Sequence, residues 1–160
     1  NGKFTEINNL TIENFPIPHD AASPRGYQIH GSKKSCCIAT DLGHFSMEVK
    51  MALEGSDMIL IESNHDIEMV KFGPYPYPLK QRILSSKGHL SNEDCGKAIV
   101  DILKGRHKTI YLGHLSKTNN YPELAYETVA GVLRENNISV EKDIDLKMCN
   151  RDRHSALSEV

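Results

Sequence analysis

No stretch of this sequence stays apolar for the length that a membrane-crossing helix needs, so no membrane partner is expected and the protein is expected to be cytoplasmic. An excess of charge of one sign is also missing. The 19 Lys and Arg nearly balance the 21 Asp and Glu, and a formal net charge of -2 excludes a globally basic nucleic-acid binder. Any site for a polyanion must therefore be a local patch. Cysteine is scarce and unpatterned: Cys36, Cys37, Cys95 and Cys149 form no C-x-x-C pair and fall short of the density of a disulfide scaffold. They read as free, buried thiols of a reducing compartment. Internal repeats, low-complexity tracts and Pro/Gly-rich linkers are absent, so residues 1–160 are expected to form a single unit. The opening has no Met, and NGKFTEINNLTIENF already has strand character, so the start is expected to fall inside a larger domain.

What is present is ordinary for a folded protein. Hydrophobic residues make up 39% and charged residues 25%, which argues against disorder and fibrous classes. LTIENFPI (10–17) alternates as a strand, and GYQIHGSKKSCCIAT (26–40) reads as two strands joined through a turn at residues 30–34. Phe45, Val49, Ala52 and Leu53 recur at helical spacing and predict a helix that stops at Gly55. DMILI is a short buried strand, PLKQRILSS a helix opened by Pro78, and Ser91 the cap of a helix running through Lys104. TIYLG (109–113) is a strand, PELAYETVAGVLREN (122–136) an amphipathic helix, and DIDLKMC an edge strand. Strands first alone and then alternating with helices imply an α/β layered domain.

Four apolar runs end alike: ENFPIP meets His19 and Asp20, CCIAT meets Asp41, MILI meets Glu62, Ser63, Asn64 and His65, and TIYLG meets His114. In α/β sheets, side chains at the ends of several strands converge on one edge, where ligand and catalytic groups sit. Imidazole and carboxylate donors together suit zinc or manganese, and a carboxylate can bridge two cations. Each residue also has a structural reading. Asp41 could cap a helix starting near His44, Glu62 could accept backbone N–H bonds, and His89 could sit in the turn before the helix capped by Ser91.

The motifs PIPHDA, IATDLG, IESNHD, GHLSN and LGHLSKTNN, in this order, resemble the YycJ (VicX, WalJ) group of metallo-β-lactamase-fold hydrolases. The resemblance covers nearly the whole chain. It implies the C-terminal half of an αββα sandwich, with a two-metal site at the edge between its sheets and a nuclease function, including proposed 5' to 3' exonuclease activity on single-stranded DNA. His19 and His114 would then be metal ligands and Asp41 the carboxylate bridging both ions. The family's H-x-H-x-D-H ligand motif has no counterpart here, since no H-x-H occurs. The N-terminal half of the same domain becomes an expected partner, and reduced metal occupancy of this chain alone is expected. A second similarity, to transfer-RNA 3'-processing nucleases of the same fold, gives Glu62 the task of orienting His89, which would protonate the leaving oxygen or bind the scissile phosphate.

The reading is thus two-metal hydrolysis of a phosphodiester, with DNA favoured over RNA as partner. His65 is a candidate phosphate contact. Lys80 and Arg82, with Lys87, Tyr75 and Tyr77 nearby, are candidates for a phosphate track with rings for stacking, or simply a solvated helix face. Two other classes stay open: a noncatalytic half-domain that assembles with a partner half, and a metal-free α/β binding module.

Overall fold

Alternating apolar side chains build four strands before the first helix: β1 (Phe4–Ile7), β2 (Leu10–Pro16), β3 (Arg25–His30) and β4 (Ser35–Ala39). A computed structural model of the chain describes residues 4–154. These four strands pair antiparallel in sequence order, and the β3–β4 turn closes where expected, with the Gly31 N–H donating to the Lys34 carbonyl. From β4 onward the pattern changes. Strands β5 (Met58–Glu62), β6 (Lys108–Gly113) and β7 (Ile144–Met148) each lie parallel to the strand before, completing a seven-stranded sheet in sequence order.

Parallel neighbours require crossovers, and these carry the helices. Helix α1 (Met47–Glu54) links β4 to β5; α2 (Ile67–Phe72), α3 (Tyr77–Ile83) and α4 (Asn92–Leu103) lie between β5 and β6; α5 (Pro122–Glu135) leads into β7. Right-handed crossovers that add strands in one direction place their helices on one face. Ala39, Ile59, Ile61, Ile110, Leu112 and Leu146 point to that face and form one buried core with Val49, Leu53, Ile99, Val129 and Leu133. The opposite face carries a cross-strand row of Tyr27, Ile38, Leu60 and Tyr111, beside Ile12, Ile29, Cys36 and Met58. Tyr27 is 46% exposed there, and Leu10 and Ile7 are exposed at its rim. One helical layer on one sheet is what half of an αββα sandwich provides.

Local chemistry explains where the elements differ from expectation. Ser46, not Asp41, caps α1 by accepting the Val49 N–H, so the helix begins after residue 44 and Asp41 is left for other work. The short helix α2 goes beyond the expected elements, because six residues carry too little periodicity; its signal is the cap Asp66, which accepts the Met69 N–H at 2.8 Å. Helix α3 starts at Tyr77 with Pro78 in its first turn and ends at Ile83, short of the expected Ser86. None of the four cysteines is in a disulfide among the described residues, but only Cys37 and Cys95 are fully buried. Among the described residues no helix is long and apolar enough to cross a membrane.

Candidate metal centre

The parallel strands deliver their C-terminal ends to one edge, and there the polar residues gather. Asp41 follows β4, Glu62 ends β5 and His114 follows β6, while His89 arrives on the loop before α4 and His19 on the loop between β2 and β3. Asp41 and His114 both adopt left-handed backbone angles, with φ of 60° and 56°. Non-glycine residues held there cost free energy, and such strain concentrates at functional sites.

Glu62 organises the cluster. It is fully buried, and its Oε1 accepts from His89 Nδ1 at 2.8 Å and from His114 Nδ1 at 2.6 Å. Its Oε2 accepts the backbone N–H groups of Leu42 at 2.6 Å and Leu90 at 3.3 Å. Burial alone raises a carboxyl pKa, but the hydrogen bonds from His114 and His89 outweigh it, and Glu62 is held below the ordinary carboxylate range. An ionised carboxylate only accepts, so the Nδ1 atoms of both rings carry their protons. His19 is fixed in the same sense, with Nδ1 on the Gly88 carbonyl at 2.9 Å. Gly88 cannot be larger, since a Cβ there would lie 2.2 Å from the Arg82 and Ile83 carbonyl oxygens. In all three rings Nε2 is therefore the nitrogen with a lone pair to offer.

Asp41 is the point of convergence. Its Oδ1 lies 3.7 Å from His19 Nε2, 3.7 Å from His114 Nε2 and 3.8 Å from His89 Nδ1. One donor atom from each of Asp41, Glu62, His89 and His114 lies within 4.8 Å of the others. Glu62, with four N–H groups already on its oxygens, suits orientation better than ligation, the arrangement that metal-binding histidines use to fix their rings. The Nε2 atoms of His19 and His114 each lie 3.7 Å from one Asp41 oxygen, and two imidazoles with a carboxylate are a donor set that suits a divalent cation, although His19 falls outside the tighter group of Asp41, Glu62, His89 and His114. Three ligands are fewer than two cations require.

The polar tail of β5 ties three loops together. Asn120 Nδ2 donates to the Ser63 and Asn64 carbonyls and to Asn92 Oδ1, Ser63 Oγ donates to Asn92 Oδ1 at 2.7 Å, and Asn64 Nδ2 donates to the His114 carbonyl at 2.8 Å. Reasoning from sequence missed these asparagines as positioning groups, although GHLSN and HLS-x-x-NN held two of them. His65 stands apart: it is 1% exposed, its Nδ1 is buried without a partner among the described residues, and burial pushes its pKa down to about 4. Arg82 forms a two-pronged pair with Asp20 at 2.5 and 3.0 Å, and Lys80 Nζ donates to the Lys71 carbonyl at 2.8 Å. His44 bonds the Ser86 carbonyl through Nδ1 at 2.8 Å.

Comparison with known proteins places the fold in a family. The beta-lactamase superfamily domain matches residues 1–115. This chain belongs to the beta-lactamase superfamily. It is 41% identical over 159 residues to the exodeoxyribonuclease WalJ of Streptococcus pneumoniae, covering 99% of this chain and 59% of that protein. Against the exodeoxyribonuclease YycJ of Bacillus anthracis the identity is 38% over 145 residues, 91% of this chain and 55% of the relative. The chain thus spans a little over half the length of these curated relatives, and the resemblance read from the motifs is met. Among solved structures, the metallo-beta-lactamase fold protein YhfI of Bacillus subtilis superposes with a TM-score of 0.61 at 13% identity, covering 91% of this chain and 48% of that one. Zinc-bound PqqB of Methylobacterium extorquens gives a TM-score of 0.57 at 16% identity, over 91% and 50% of the two chains. The superfamily fold is common to all.

Proposed function

We propose that this chain supplies the C-terminal half of a metal-dependent nuclease that hydrolyses phosphodiester bonds, with single-stranded DNA as its substrate and 5' to 3' exonuclease cleavage as its mode. The observation that carries the reading is the convergence of His19, Asp41 and His114 beside a buried Glu62 that holds both His89 and His114 by Nδ1. The names of WalJ and YycJ support deoxyribonucleic acid as the substrate.

In this reading His19, Asp41 and His114 would be this chain's share of the ligands for divalent cations, zinc or manganese. When bound, the cations supply Lewis acidity at the phosphoryl group and an activated water. Glu62 keeps the Nε2 atoms of His114 and His89 facing outward. His89 Nε2 hands a proton to the leaving oxygen, and Glu62 stabilises the positive charge that a protonated ring carries before that transfer. Arg82 lines a cavity of about 220 Å³ together with His19, His89 and Tyr75, and binds phosphate there by exchanging Asp20 for the substrate. Lys80, two residues before Arg82 on α3, faces a separate space beside Lys71 and Tyr77 and adds charge only from there; His65 contributes to phosphate binding only if its loop opens.

The open sheet face supports the domain reading. Tyr27, Leu10 and Ile7 are exposed on this face and Ile38 and Leu60 half-buried, and covering them would stabilise by about 25 cal/mol for each Å² of apolar surface removed from water, so a second β layer is the natural cover, and we assign it to the N-terminal half of the same domain. That half would also bring the ligands that three residues cannot provide.

The test is metal analysis and a nuclease assay on the full-length protein carrying Asp41→Asn or His114→Ala. Both variants should lose bound metal, and turnover should fall by about 100-fold or more. Unchanged metal content and turnover would reject the site.

A further inference from the structure

The geometry points to a second substrate surface, on the His114 side of the centre, that carries the single-stranded stretch of nucleic acid beyond the scissile phosphate. This inference rests on the nuclease reading above and extends it to residues that the reading does not use. A cavity of about 700 Å³ opens beside His114 and is lined by Lys117, Tyr121, Arg151 and Arg153. It lies across the cluster from the smaller cavity bordered by His19 and His89, and Ser116 borders both. The edge that carries the cluster therefore sits between two spaces, and a strand bound for cleavage must leave through one of them.

The charge balance of the larger space is opposite to that of the chain. Three cations, Lys117, Arg151 and Arg153, line it with one carboxylate, Asp152, in a protein of formal net charge -2. No ion pair engages Lys117, Arg151 or Arg153 among the described residues, in contrast to Arg82 on the other side. The guanidinium of Arg151 donates to the Leu115 carbonyl, which holds this arm against the loop that carries His114. Tyr121 is 50% exposed, and its backbone N–H is fixed by Asn120 Oδ1 at 3.0 Å, so a half-open ring stands on a rigid support. Cations that follow a backbone, together with an aromatic face for a base, are the elements of sequence-tolerant single-strand binding. Phosphate contacts supply affinity and a salt dependence, and the ring adds a contribution that salt does not screen.

The experiment is fluorescence anisotropy with a fluorescein-labelled oligothymidylate and the full-length protein in EDTA, where nothing is cut, over a series of salt concentrations. The double variant Lys117→Gln, Arg153→Gln should bind about tenfold more weakly at moderate salt and lower the slope of log K against log[salt] by about 1.4, two phosphates at about 0.7 each. Tyr121→Ala should weaken binding about fivefold or more with the slope unchanged. Lys33→Gln, an exposed change on the β3–β4 turn at the far edge of the sheet, should leave both quantities alone. If the unaltered protein binds the strand and the double variant keeps its affinity and slope, the surface is wrong and the nuclease reading stands. The surface is equally wrong if the metal-loaded protein cuts DNA but binds none in EDTA, or if Lys33→Gln weakens binding as much as the double variant. A protein that neither cuts nor binds overturns both.

Discussion

The two edges of the parallel strands both bury charge, and they treat it in opposite ways. At the N-terminal edge, Lys108 is 2% exposed, and its Nζ donates to the carbonyls of Leu53, Glu54 and Ser56 at and just beyond the end of α1. An ammonium group has three protons, and three acceptors use them all. At the C-terminal edge, Glu62 is equally buried and equally satisfied, but the groups bonded to it are not: His89 and His114 spend Nδ1 on Glu62 and keep Nε2 unspent. Burial of a charge therefore does not distinguish structure from function here. Unused bonding capacity, aimed at a common point, does.

The comparison breaks most readily at Lys108. Lys108→Met keeps most of the stem and removes the ammonium, leaving the carbonyls at the end of α1 without their donor, while recovering the cost of burying a cation. Burial holds the pKa of Lys108 below the usual lysine value, which shows that this cost is present. We expect a net loss of about 2–4 kcal/mol in urea unfolding of the full-length protein, with metal content and turnover per folded molecule unchanged. A loss of turnover without a loss of stability would make the two edges alike.

Glu62→Gln probes the other edge with a change of one atom. The amide presents N–H groups where the carboxylate accepted them, either to the two imidazoles or to the Leu42 and Leu90 N–H groups, so one side must open. Metal affinity or turnover should fall by about 10- to 100-fold, measured by metal titration and steady-state rates, with a smaller effect on stability than Lys108→Met. A fully active, fully loaded Glu62→Gln protein would show that the rings need no such holder.

How much of this was legible in the sequence follows the same division. The strand-end positions of Asp41, Glu62 and His114 were readable because a buried apolar run followed by polar residues has few other meanings in an α/β chain. Helices α4 and α5 were readable from periodicity and, for α4, from the Ser91 cap. The choice between Asp41 and Ser46 as the cap of α1 was not, since both residue types cap helices and only the backbone decides. That Glu62 holds two histidines rather than one depends on the parallel pairing of β5 with β6, which brings Gly113 opposite Glu62 and His114 next to it. The engagement of Arg82 by Asp20, 62 positions away in the chain, leaves no local trace.

His65 sharpens the comparison at the smallest scale, because it is a closed titratable group on the open edge. Its Nδ1 is buried without a partner among the described residues, and burial lowers its pKa from 6.5 to about 4. The folded state thus binds a proton at this ring less readily than the unfolded chain does. Above pH 6.5 the ring is neutral in both states and the native fold has its full stability; as pH falls from 6.5 toward 4 only the unfolded chain gains the proton, and stability is lost. Between pH 7.5 and 5.5 the loss from this one group is about 1 kcal/mol. His114 shifts the other way, its pKa raised by the hydrogen bond to Glu62, so the wild-type curve alone mixes opposite signs. The difference between wild type and His65→Gln isolates the contribution of this ring: the variant should lose about 1 kcal/mol less over that range in urea unfolding. Parallel curves would mean that His65 is solvated in the folded protein and belongs with the histidines that keep a nitrogen to offer.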